Sequence, residues 1–398
     1  MYLIHFKSTD LSRLQSQGQF WHIFFSSGGV IISQDEKDTW TVHLPIKLDI
    51  DVNTLNPEKA IQEVLGGSRG PYPIKVDKVL VTSAWRPNIC IADRFISTGQ
   101  RVFLSGDAAH QNIPTGGYGM NTALGDSFDI GWKLAAVCNG FAGKHLLASY
   151  ESERRPVAVR NIDRSGAHAS IHATYTAWVR EAGPDTVTAQ TEEGRKLRER
   201  ITDYVNEFDG ENKDHGIEMG YRYNGSPVVV PDSEAEEPEW NTAHYIPSTW
   251  PGARAPHVFL ADTQTSIFDL FGDHFTFIDF SDSGDIGKRF AAQAKRLSIP
   301  LKSVHLPSEQ HVREVWGREA FLIRPDDHVA WRAPLESKTM VNAEEVLLVA
   351  VGRQPSSLDM AAKERLAKSM SFVEEKGFTG TIGNVDQDRV ERLAAFQQ

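Results

Sequence analysis

The strongest constraint on this chain is the stretch from Arg101 to Asn121, RVFLSGDAAHQNIPTGGYGMN. Val102, Phe103 and Leu104 read as a short buried strand, Gly106-Asp107 as a turn, and Pro114 to Gly119 as a loop opening a helix. In open α/β sheets ligands sit beyond the carboxyl ends of strands, which puts Asp107 where a ligand would be met. Gly116, Gly117 and Gly119 lack a Cβ, so the loop backbone can approach a flat ligand closely and offer its N–H groups. The helix after the loop brings the positive end of its dipole to the same point. A bare GGxG is equally the mark of an ordinary strand-to-helix turn, and alone it specifies no ligand.

Around that stretch the chain has 398 residues, a length for two or three domains. Hydrophobic residues at 40% and charged residues at 24% are those of a globular protein, and nothing approaches the roughly 18 apolar residues in a row that a membrane span needs. No basic segment leads into an apolar one at the start, so no secretory signal is read, and a cytoplasmic location is the expectation. Cys90 and Cys138 make neither a disulfide framework nor a metal spacing. A formal charge of −11 argues against nucleic acid as a partner, because neutralising phosphates needs a basic face.

From the start, Tyr2, Ile4 and Phe6 alternate with more polar residues, the pattern of a half-buried strand. Phe20 to Phe25 is apolar on both faces and is expected to be a central strand, with Trp21 in the core and His22 paired. Ser26-Ser27-Gly28-Gly29 turns it into Val30-Ile31-Ile32, and Trp40, Val42 and Leu44 complete an antiparallel meander. Asn56-Pro57-Glu58 opens a helix with an apolar stripe at Ile61, Val64 and Leu65, and Lys75 to Val81 returns as a strand. After the central stretch, the helix from Thr122 to Cys138 is expected to bury Leu124, Phe128, Gly131 or Trp132, Ala135 and Cys138. Gly125 and Gly131 within it are expected to mark close packing. Leu146 to about Arg164 reads as a solvated helix with local ion pairs and a bend at Pro156. Residues 181 to 249 are polar and helical, then acidic at Ser233 to Glu239, a connecting segment. Beyond Trp250 come a strand from Phe275, a helix from Ile286, a strand from Leu301 and a hairpin around Asp326-Asp327, then a capped helix from Asn342.

The string GDAAHxxxPxGGxGMNxxxxD resembles the second flavin-binding motif of the FAD-dependent aromatic hydroxylases, the family of para-hydroxybenzoate and phenol hydroxylases. SYExERRPxA at Ser149 to Ala158 matches the family's next segment, and PGxRxP with FLIRPDxHVAWR resembles the C-terminal domain of the phenol hydroxylase branch. The resemblance implies a mixed α+β and α/β fold: an incomplete para-hydroxybenzoate-hydroxylase-like flavoprotein, substrate sheet plus flavin-motif strand and helices, followed by a thioredoxin-like domain. Divided on that basis, 1–100 is the substrate sheet, which roofs the substrate pocket in the family. Residues 101–180 are the flavin-motif region, 181–249 the connector, 250–353 the thioredoxin-like domain and 354–398 a tail with a helical piece near Met360 to Glu374. No cysteine lies in the thioredoxin-like part, which excludes thiol–disulfide chemistry there; in the family this domain is structural and often sits at a homodimer contact.

By the same resemblance, Gly106 and Asp107 face the ribityl chain of FAD, with Asp107 accepting its hydroxyls. Pro114, Gly116, Gly117 and Gly119 lie along the isoalloxazine, and Met120 and Asn121 sit near its pyrimidine end. His110 is read as structural. NADPH and O2 enter as co-substrates with a small phenolic or polyketide-like aromatic; no catalytic residue is assigned, and no metal. The family opens with a GxGxxG unit that holds the pyrophosphate, and no GxGxxG occurs in these 398 residues. The expectation is therefore a fragment or a shortened relative, with weak or no FAD binding by the chain as written. Alternatives are a non-catalytic relative serving dimerisation or interaction, and a flavin oxygenase that inserts oxygen in the Baeyer–Villiger manner.

Overall fold

A computed structural model describes residues 1–356 except 16, 17, 19, 26, 48, 87, 209–212 and 336–340. Ser26 of the expected turn and the tail beyond 356, including the piece expected near Met360 to Glu374, lie outside the described residues. Contacts divide the chain into two units, one formed by Met1–Asn88 with Ala169–Phe208, the other by Ile89–His168 with the described part of Asp209–Thr381.

The first unit is built on an antiparallel sheet in the order β2-β3-β4-β1-β5, with β1 Tyr2–Lys7, β2 His22–Phe24, β3 Val30–Ser33, β4 Thr39–Leu44 and β5 Lys78–Ala84. Strand alternation sends Tyr2, Ile4, Phe6, Ile31, Trp40 and Val42 to one face, where all are buried. After the short α1 (Ser12–Gln15), helix α2 (Pro57–Gly66) covers that face with Ala60, Ile61 and Val64. The Asn56 side chain accepts from Lys59 N and Pro57 occupies the first turn, so the helix starts where its cap dictates. The expectation for Phe20 to Phe25 is corrected: β2 is an edge strand, and Trp21 is 71% exposed. Apolar residues on both faces of a strand suit a central position, but here only β3 pairs with β2.

In the second unit, β6 (Cys90–Ile91) pairs with β7 (His110–Gln111). The buried strand expected at Val102 to Leu104 is not one. Phe103 makes a single antiparallel bridge to Ile96, Leu104 N donates to Phe95 O, and Val102 is 58% exposed. An apolar triplet becomes a buried strand only when neighbours flank both its edges, and this segment pairs along one. Helix α3 (Tyr118–Cys138) is followed by α4 (Lys144–Ala182), whose residues run from the second unit into the first, and by α5 (Glu192–Glu207) and α6 (His215–Met219).

The face of α3 is the second correction. Leu124 and Phe128 are 60% and 58% exposed, and Gly131, Ala135 and Cys138 are exposed with them. The buried side is Thr122, Asp126, Asp129, Ile130, Lys133 and Ala136. Gly125 does pack closely, since a Cβ there would lie 2.7 Å from Arg154 Nη2, whereas one at Gly131 would meet nothing within 4 Å. Nor is α4 a solvated helix around Pro156: Glu153, Arg154 and Arg155 are buried, and Glu151 Oε2 accepts from the N–H groups of Phe95 and Ile96.

The C-terminal part has the thioredoxin-like order expected of it. Strand β8 (Phe275–Asp279) leads to α7 (Asp285–Leu297), then β9 (Leu301–His305), α8 (Gln310–Trp316), the hairpin β10 (Ala320–Ile323) and β11 (Val329–Arg332), and α9 (Ala343–Ala350). Strand order is β11-β10-β8-β9, with β8 and β9 parallel and the remaining pairs antiparallel. All of β8 and β10 is buried because apolar clusters cover both faces of the sheet.

Candidate flavin site

The loop that the motif predicts as a cofactor surface is held from behind and open in front. Gly106 is buried in a tight turn, where a Cβ would press on Ala123 at 3.0 Å, and the Asp107 beside it is exposed. Pro114 is exposed; Gly116 and Gly117 take left-handed backbones at φ 80° and 70°, which only glycine adopts freely. Gly117 heads α3 and no side chain caps that end. Asn121 Nδ2 donates to Gly117 O, closing the first turn, while Gly119 is half-buried against Asn112 and Met120 is 72% exposed. All eight residues singled out from the sequence thus fall within one turn, loop and helix start. Behind the loop, Thr115 Oγ1 donates to Ser165 O and Ser165 Oγ to Ile113 O, both bonds anchoring it to α4.

Under α3 lies a layer of buried charge that local sequence reading missed. Asp126 accepts from Arg154 Nε at 2.8 Å and lies 2.7 Å from His110 Nε2. Burial pushes its carboxyl up, but His110 and Arg154 outweigh that and hold it below the usual range. His110 is therefore a buried structural partner, stacked on Phe95. Further along the helix, Lys133 Nζ bonds Asp129 and Glu153, and Arg324 of β10's end reaches Glu153, Asp129 and Asp326. Three carboxylates thus face two cations, and burial together with Glu153 and Asp326 raises Asp129 to about 6 against the pull of Lys133 and Arg324. No residue spacing announces these pairs: Glu153 and Arg324 are 171 residues apart.

In the first unit, the sheet face away from α2 is polar and aromatic. His5 Nδ1 lies 2.9 Å from Thr41 Oγ1, Gln34 Nε2 donates to the same hydroxyl, and Trp85 Nε1 donates to His43 Nδ1 at 2.8 Å. Burial holds His43 below its ordinary range, so it is a neutral acceptor at neutral pH. His22 and Phe24 stand edge to face on β2, and Phe24 meets His172 likewise. A cavity of about 460 Å3 elsewhere in the second unit touches Tyr223, Ser226, Asp232, Glu237 and Trp250. Two of its acids are committed, Asp232 to Arg318 and Arg332 and Glu237 to Arg222. Among the described residues no group of His, Cys, Asp or Glu could hold a metal ion, both cysteines are free, and no helix is long and apolar enough to cross a membrane.

Two family models match: the FAD binding domain over residues 1–165 and the C-terminal domain of aromatic-ring hydroxylases over 248–354. The FAD-dependent monooxygenase apdD of Emericella nidulans is 42% identical over 384 residues, 92% of this chain and 61% of that protein. The FAD-dependent monooxygenase opdD of Penicillium oxalicum is 40% identical over 364 residues, 88% of this chain and 68% of that protein. Among solved structures, the flavin-dependent monooxygenase PieE in complex with FAD and substrate superposes with a TM-score of 0.70 at 29% identity, over 88% of this chain and 64% of its own. The matched region thus spans between 61% and 68% of the length of these three proteins. On this sequence similarity and the shared fold, the chain belongs to the family of FAD-dependent aromatic-ring hydroxylases.

Proposed function

We propose that this chain carries the flavin-ring loop and the substrate sheet of an FAD- and NADPH-dependent monooxygenase that hydroxylates a phenolic or polyketide-like aromatic. The observation that carries this reading is the loop itself: exposed at Pro114, Gly117 and Met120, left-handed at Gly116 and Gly117, with Asp107 open to solvent beside it. A flat ring system with a polyol tail fits such a surface, since any Cβ at Gly116 would collide with Tyr118 and one at Gly117 would stand on the open side. Bound there, FAD supplies the oxygen activation that no side chain provides.

The chain's own residues contribute according to their places. Asp107 accepts ribityl hydroxyls. Backbone N–H groups at the uncapped start of α3, next to Met120 and Asn121, stabilise negative charge on the pyrimidine edge, the logic of an oxyanion hole. Relatives over most of its length are FAD-dependent monooxygenases, and PieE is described with both FAD and substrate bound.

Titration of FAD into the purified chain tests the reading. Without a GxGxxG unit for the pyrophosphate, weak but saturable quenching of flavin fluorescence is expected, lowered about tenfold further by Asp107→Ala, the worth of a charge-assisted hydrogen bond. Superimposable curves for the two proteins would sink it. Stimulation of NADPH oxidation by added phenols is the accompanying measure of the hydroxylase assignment.

A further inference from the structure

Directly behind Gly116 and Gly117 lies a buried polar cluster that the flavin motif does not account for. Tyr118 Oη donates to Asp214 Oδ2 at 2.6 Å, Arg164 Nε donates to the same oxygen at 2.7 Å, and His168 Nε2 lies 2.7 Å from it. Asp214 and His168 are wholly inaccessible to solvent, and the Tyr118 ring stacks on the imidazole with 18° between their planes. The four residues come from the start of α3, the middle of α4 and the head of α6. Asp214 occupies the N-cap position of α6, yet its side chain makes no capping bond there. Its carboxylate is turned to the cluster instead.

The arrangement is costly for a simple core. Asp214 Oδ1 and His168 Nδ1 are buried with no hydrogen-bond partner among the described residues, and apolar side chains of the same size would avoid that loss. The loop that rests on the cluster explains its presence. A Cβ at Gly116 would lie 2.4 Å from Tyr118 Cε2 and 3.0 Å from His168 Cδ2, so the loop backbone sits against these two rings. Burial raises the Tyr118 hydroxyl far above its ordinary range, and the Asp214 charge beside it acts in the same direction, so Tyr118 remains a donor at every working pH. For Asp214 the order is reversed: burial pushes the carboxyl up, but bonds from His168, Arg164 and Tyr118 outweigh it and keep the carboxylate ionised.

We infer that Tyr118, His168, Arg164 and Asp214 are positioning residues for the flavin loop. They fix the two rings on which Gly116 rests, and so keep the Pro114 to Gly119 backbone in the open shape that a flat ring can lie along. The identity of the ligand rests on the flavin reading above, whereas the holding of the loop is a property of the chain alone.

Hydrogen exchange on the full 398-residue chain, read by mass spectrometry with thermal unfolding and FAD titration alongside, separates the two. Tyr118→Phe removes one hydroxyl and keeps the stacked ring; Asp214→Asn keeps the shape and removes the charge. Each is expected to speed exchange across Gly116 to Met120 about tenfold or more, while peptides from β8 to β11 exchange as before. FAD binding is expected to weaken in the same order. Loop exchange that stays at the wild-type rate in Tyr118→Phe, or that rises only in step with the C-terminal sheet, overturns the proposal in favour of general scaffolding. A loosened loop in a chain whose wild type binds no FAD supports the positioning role and removes the flavin reading. A loosened loop with undiminished FAD binding overturns positioning for the cofactor.

Discussion

At the scale of single residues, Asp129 is the position where burial and charge count conflict most. Its network holds three carboxylates, Asp129, Glu153 and Asp326, against Lys133 and Arg324. Glu153 and Asp326 stay ionised because Arg324 and their other bonded neighbours outweigh their burial, so the surplus proton falls to Asp129. A carboxyl whose folded pKa stands near 6, above the ordinary 3.8, adds stability that is complete below the lower value and is lost as pH climbs through the higher. Asp129→Asn removes that dependence. The stability advantage of wild type over Asp129→Asn in urea unfolding should shrink between about pH 4 and about pH 7, and an advantage constant across that window would refute the assignment. Nothing near Asp129 in the chain signals this, since an aspartate on a helix ordinarily faces water.

Elements show the same inversion on a larger scale. Helix α3 has an apolar stripe at helical spacing, Met120, Leu124 and Phe128, and this stripe is the exposed side. Its buried side carries Asp126, Asp129 and Lys133, each satisfied by partners on α4 or the β10–β11 hairpin. Assigning a helix's inner face from its apolar stripe assumes that buried means apolar, and a helix whose inner face is ion-paired defeats that assumption. The consequence is measurable. Leu124→Ser and Phe128→Ser should each change unfolding free energy by less than about 0.5 kcal/mol, as exposed positions do. A loss near the ~3 kcal/mol of a core phenylalanine would show that this face is covered. Where alternation and caps are local, as in β1, β4, α2 and the β8–α7–β9 run, pattern and structure agree, because neighbours within each element suffice to define its inner face.

For the second unit as a whole, Arg324 ties the C-terminal hairpin to the helices behind the Pro114 to Gly119 loop, since its guanidinium bonds Glu153 on α4 and Asp129 on α3. Thiol redox chemistry in the thioredoxin-like part is excluded by its lack of cysteine; a buttressing role is what its contacts describe. Arg324→Met would strand buried carboxylates without their cation and should cost about 3–5 kcal/mol in chemical unfolding. A midpoint indistinguishable from wild type would mean that the pairs contribute nothing to holding α3 and α4. The turn, loop and helix start from Gly106 to Asn121 were legible from the chain alone because their residues are contiguous, and left-handed backbone at Gly106, Gly116 and Gly117 calls for glycine wherever it occurs. So was the order of the C-terminal strands and helices. The burial of α3 by its charges, the edge position of β2, the single-sided pairing of Val102 to Leu104 and the convergence of Tyr118 on Asp214 could be settled only by the folded chain. Each depends on a partner supplied from a distant part of the sequence, and the worth of a buried charge or a strand edge is decided by that partner rather than by its neighbours along the chain.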